Sequence, residues 1–149
     1  MSAEVEDSWL ASVLSESGWS PSRKVDVSGA IAAWSSDGHV LSEAAIDLVS
    51  RLDGTGFEYP RLIRVNGFDS CSFDAKDASR SIYPEVVRDY ERFVEFPLCP
   101  IGVSASRHIV LLVSGGGAIY GGYDRFLACC GEGWKQAVWN IYHRIGARL

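Results

Sequence analysis

The sequence predicts an α+β fold: a helical N-terminal half packed on an antiparallel sheet, with a C-terminal helix. Three observations carry this. Apolar residues recur at helical spacing between Trp9 and Leu52, short apolar runs broken by turns take over near Tyr59, and helical spacing returns from about Trp134. A chain of 149 residues can bury a real core, and one domain over residues 1–149 is the expectation.

The first helix is expected over about residues 4–16, with Trp9, Leu10, Val13 and Leu14 on one stripe and Gly18 as its stop. After the turn from Trp19 to Ser22, Asp26 can cap a second helix carrying Val27, Ala30, Ile31 and Trp34. Asp37-Gly38 ends it. The third helix is the best specified. Ser42 is its N-cap, Leu41 and Ile46 form a hydrophobic staple, Ala45, Leu48, Val49 and Leu52 make the buried face, and Glu43 and Asp47 project toward solvent.

Asn66-Gly67 between Arg61–Val65 and Phe68–Phe73 is a hairpin signal, because both turn positions need positive φ. A two-residue loop would set Arg64 opposite Asp69. The polar stretch from Asp74 to Ser81 carries no element assignment. Pro84 suits the first turn of a helix with Val87, Tyr90 and Val94 on one side and Arg88, Glu91, Arg92 and Glu95 toward water. Two apolar runs, His108–Val113 and Gly117–Tyr120, flank Ser114-Gly115-Gly116-Gly117 and read as a second hairpin. A short run, Arg125–Cys130, precedes a last helix over about Glu132–Ile145 with Trp134, Ala137, Val138, Ile141 and Ile145, ended by Gly146.

Composition narrows the function. No apolar run approaches the roughly 20 residues that span a bilayer. The start, Met1 to Asp7, is acidic and lacks the basic, apolar pattern of a secretory signal, so a cytoplasmic protein is expected. The net charge of −5 is uneven: residues 1–60 carry ten acids against Arg23, Lys24 and Arg51, while residues 61–149 carry nine acids against eleven bases. An acidic half argues against direct nucleic-acid binding and suits a basic protein partner.

Catalytic patterns are absent. The Gly115–Gly117 cluster has Tyr120 where a dinucleotide fingerprint needs Gly, and a strand-like segment where it needs a helix, so it reads as a tight turn. His39, His108 and His143 are scattered, without metal-hydrolase spacing. Cys71, Cys99, Cys129 and Cys130 form no CxxC pair and read as buried, reduced thiols acting as small hydrophobes. Trp9, Trp34, Trp134 and Trp139 read as core, and Trp19 beside Pro21 as the exposed tryptophan. No metal, cofactor or enzymatic activity is expected.

An ordered set of short motifs resembles the third immunity-protein subgroup of the SUKH superfamily, found in bacterial polymorphic toxin systems. It runs from Leu14-x-x-x-Gly18-Trp19-x-Pro21-x-Arg23-x-Val25-Asp26 through Phe73-Asp74-Ala75-x-x-Ala78, Pro100-Ile101-Gly102, Leu111-Leu112-Val113 and Gly117-Ala-Ile-Tyr120 to a terminal helix with Ala137. The chain departs from the subgroup at its Phe-Gly-Gly-Leu-like turn, reading Leu52-Asp53-Gly54-Thr55-Gly56-Phe57. The resemblance implies a SUKH-like α+β domain that binds and neutralises a cognate toxin, commonly a nuclease or nucleic-acid deaminase, inside the producing cell. The alternative is a protein-interaction adaptor unrelated to toxins. Such toxins bind polyanions, so their natural complement is acidic. The expected toxin-binding set is Asp37, Glu43, Asp47, Asp53 and Glu58, with Trp19 and Tyr59 as aromatic anchors.

Overall fold

The computed structural model describes residues 5–60 and 67–145. Its helices are α1 (Asp7–Leu14, extended by a 3₁₀ turn over Ser15–Ser17), α2 (Ser28–Ser36), α3 (Glu43–Leu52), α4 (Ala75–Arg80), α5 (Pro84–Val94) and α6 (Trp134–His143). Its strands are β1 (Thr55–Pro60), β2 (Phe68–Phe73), β3 (Leu98–Ser104), β4 (Ile109–Ser114), β5 (Ile119–Tyr123) and β6 (Phe126–Gly131). All pair antiparallel with their sequence neighbours, in the order β1-β2-β3-β4-β5-β6. The α+β expectation is met.

Both faces of the sheet are covered. On one, Phe57, Tyr59, Phe73, Ile101, Leu111, Val113 and Ile119 meet Leu10, Leu14, Trp34, Leu48, Val49, Leu52, Ala137 and Val138 from α1, α2, α3 and α6. On the other, Val87 and Tyr90 of α5 cover Leu98, Val103, Val110 and Leu112. β3 and β4 are therefore buried along their whole length. β1 and β2 lie beyond α5 and keep an alternating pattern, with Glu58, Pro60, Phe68, Ser70 and Ser72 exposed.

The ladder is irregular between Pro100 and Gly102, where Ile101 is the unpaired extra residue. That insertion turns Val103 to the same face as Leu98, although the two stand five positions apart and a regular strand would place them on opposite faces. Pro100 has no amide hydrogen to lose there. A Cβ on Gly102 would stand 2.4 Å from the Ser72 carbonyl, so close approach to β2 requires glycine.

Local signals place most helices. Ser42 Oγ accepts the Ala45 amide at 3.1 Å, and Ala45, Leu48, Val49 and Leu52 are the buried face of α3. Pro84 sits in the first turn of α5. Val27 occupies the cap position of α2, but the Asp26 carboxylate still takes the Ser28 amide at 2.9 Å.

Five expectations need correction. β1 begins at Thr55, so the turn after α3 shrinks to Asp53-Gly54. Pro60 pairs with Phe68 and Tyr59 with Asp69, so Asp69 does not take Arg64 as its ladder partner. Burial of Phe57 and Tyr59 against Cys71 and Phe73 fixes that register. The Arg61–Val65 strand and the Asn66 turn position lie outside the described residues, as does the Gly146 stop. Asp74–Ser81 holds a helix, α4, capped where the Asp74 carboxylate accepts the Asp77 amide at 3.0 Å. Glu91 does not face water: it pairs with Arg88 and accepts the Leu98 amide at 2.9 Å, seating the start of β3. Finally, α6 stops where Arg144 turns left-handed (φ 53°), leaving Ile145 exposed.

Candidate functional site

The expected binding residues do not form one patch. Glu43 and Asp47 lie on the outer face of α3, and Asp47 pairs there with Arg51 at 3.2 Å. Asp37 closes α2, its carbonyl accepting from Arg88 at 3.2 Å and its carboxylate 4.0 Å from His39 Nε2. Asp53 is half-buried and accepts the Ala75 amide at 2.8 Å, ahead of the first turn of α4. Burial pushes its carboxyl up, against the pull of that amide. Asp37 and Asp53 are thus engaged in holding loops to helices.

The two aromatic anchors are corrected outright. Trp19 is 6% exposed and packs edge-on against Trp134 at 5.9 Å, because the 3₁₀ turn and left-handed Gly18 fold the segment back under α6. Tyr59 is 3% exposed; its hydroxyl accepts the Ala105 amide at 3.3 Å, and the Arg144 guanidinium lies 5.0 Å over its ring. Burial pushes the phenol up. Neither ring is open to a partner.

Of the expected acids, Glu58 lines a groove at the edge of the sheet. An open groove of about 660 Å³ runs along the free edge of β1, walled by α1 and the end of α6. Its lining includes Trp9, Glu16, Ser17, Glu58, Phe68 and Tyr142. Neither Glu16 nor Glu58 has an ion-pair or hydrogen-bond partner among the described residues, whereas Asp7 pairs with Lys135 at 2.8 Å and Asp69 with Arg144 at 2.8 Å. Phe68, just after the β1–β2 connection, is 63% exposed beside them.

Stacked rings hold the walls. Trp9 of α1 meets Trp139 at 4.8 Å and Tyr142 at 5.5 Å, and Tyr142 reaches Phe57 of β1 at 6.3 Å. Ser17 joins α1 to the sheet: its hydroxyl accepts the Gly56 amide at 3.0 Å and lies 3.1 Å from the Gly56 carbonyl. Sequence reasoning missed Trp9, Glu16, Phe68 and Tyr142 as a site, since three separate segments, α1 with its 3₁₀ turn, β2 and α6, bring them together. The only local signal was Phe68, an aromatic ring at the mouth of a turn.

Three of the four thiols and one histidine are buried. Burial pushes the Cys99 and Cys130 thiols up to about 12, and Cys71 higher still. Cys129 is exposed, contrary to the expectation that the thiols are buried. His39 is buried, its Nδ1 held by Arg88 at 2.8 Å, and burial followed by the Arg88 charge lowers its pKa. The described residues contain no group of three metal-ligating side chains, and none of their helices is long and apolar enough to cross a membrane.

Residues 7–142 match the SUKH-3 immunity protein family. Comparison with curated proteins and with solved structures gives no match.

Proposed function

The chain belongs to the SUKH-3 immunity protein family, and from that premise we propose that it neutralises a basic, nucleic-acid-acting toxin domain, a nuclease or deaminase, by binding it in the cytoplasm of the producing cell. Immunity against a toxin is what the family carries; the toxin's chemistry is our reading. Residues 1–149 act as one binding domain without catalysis of their own. Buried thiols held in their protonated form and a buried His39 whose Nδ1 is occupied by Arg88 support that, since these groups offer neither a ready nucleophile nor an accessible general base.

The observation that carries the reading is the groove along β1, where Glu16 and Glu58 have no ion-pair partner among the described residues and stand between aromatic walls. A domain built to grip phosphates presents Lys and Arg, and steering by opposite charge speeds their encounter.

Calorimetric titration with the toxin domain encoded beside this gene tests the proposal. Nanomolar binding that weakens at high salt is the expected result. Tight binding insensitive to salt would keep immunity and discard the acidic surface. Absence of binding would favour an adaptor role.

A further inference from the structure

Resting on that reading, we propose that the groove receives an arginine side chain carried on an extended segment of the toxin, which adds to the edge of β1 at Glu58. The backbone of β1 sets the geometry. The Gly56 amide and carbonyl turn away from β2, toward Ser17. The Pro60 carbonyl does the same, accepting from Arg144 Nε at 3.1 Å. Backbone groups alternate sides along a strand, so the Glu58 amide and carbonyl also point outward, between the two capped positions. No described side chain caps them. The edge is thus closed to a long added strand but open to a single residue, a restricted form of strand addition.

Side chains fix the chemistry of that residue. The Glu58 carboxylate belongs to the open position itself, and Glu16 faces the same groove from the 3₁₀ turn after α1. Two carboxylates without an ion-pair partner among the described residues call for a cation. Trp9, Phe68 and Tyr142 add flat apolar surface, which suits a planar guanidinium better than a strongly hydrated ammonium. The occupant is therefore arginine, with its alkyl stem on the rings and its fork on the carboxylates.

The probe is the peptide acetyl-Val-Arg-Val-Arg-Val-amide, titrated into the whole protein and followed by amide NMR shifts. Saturable shifts are expected at Ser17, Glu58 and Ser70, with binding weakened at least about threefold by lysine in place of arginine. Glu16→Gln with Glu58→Gln should weaken the peptide about tenfold or more, as expected for lost charged hydrogen bonds. The double variant's thermal melt is compared with that of the wild type, and Glu58→Asp provides a second folded check. No shift, shifts centred on Glu43 and Asp47, or equal binding by the double variant would overturn the proposal. The same variants titrated with the toxin separate the two readings: unchanged toxin affinity overturns the groove and keeps immunity. Failure of the wild type to bind any toxin overturns immunity and leaves the peptide result to decide the groove.

Discussion

The indole N–H of Trp34 donates to the Pro100 carbonyl at 2.8 Å, inside a site where Trp34 has no exposed surface. The bond joins α2 to the strand irregularity that reorients Val103. It also explains why a Pro-Ile-Gly segment is needed there: proline spares a donor, Ile101 is the extra residue, and glycine clears the neighbouring strand.

Trp34 and Trp19 should respond differently to the same change. Trp34→Phe leaves the Pro100 carbonyl buried without its partner and opens space, at a cost of about 2–4 kcal/mol. The Trp19 Nε1 has no hydrogen-bond partner among the described residues. Trp19→Phe therefore orphans nothing and should stay within about 1 kcal/mol of the parent. Urea unfolding of the two variants checks this; equal losses would contradict it.

Gly102→Ala should be the more damaging of two glycine changes. Its Cβ would collide with backbone of β2, which is tied to β3 by only three residue pairs. A cost of roughly 2–4 kcal/mol is expected. Gly117→Ala meets nothing within 4 Å, but its φ of +91° disfavours a side chain. It should cost about 1 kcal/mol. Denaturation midpoints rank the pair.

His39 makes stability depend on pH. Its folded pKa lies below the ordinary value of 6.5, through burial first and Arg88 second. The unfolded chain then binds more protons than the folded one between the two values. Stability is accordingly full above the unfolded pKa, and falls as pH drops through 6.5 until the lowered folded value is passed. His39→Gln keeps an acceptor for Arg88 and removes the titration. Its urea midpoint should fall less between pH 7.5 and about pH 5.5 than the parent's.

Asp53→Ala and Asp74→Ala should each cost about 1 kcal/mol, because both carboxylates accept amides at the start of α4. Toxin affinity of the folded variants should stay within about twofold of the parent. A tenfold loss at Asp53 would restore it to the binding surface.

Elements specified by local chemistry were legible in the sequence: α3 through the Ser42 cap and its four buried positions, α5 through Pro84, and the β4–β5 hairpin through Gly117. Tertiary choices were not. Asn66-Gly67 offers a tight turn, yet burial of Phe57 and Tyr59 moves the pairing to Thr55–Pro60. α4 is six residues long, too short for a periodic stripe. Pro21 suggested an exposed Trp19, but the left-handed Gly18 decides its direction. Glu58 was found by its charge; its neighbours in the groove come from α1, β2 and α6, and no window of sequence contains them all.

α6 lies against β6 at one margin of the sheet and against β1 at the other. The strands between pair only with their neighbours in sequence, so they can assemble as the chain leaves the ribosome. The wall that Tyr142 supplies cannot. A nascent chain halted before Trp134 would hold every strand and still lack a finished groove. On the proposed reading of the groove, a chain that has paired its strands but not yet formed α6 is ordered across its sheet and still lacks the surface that would bind.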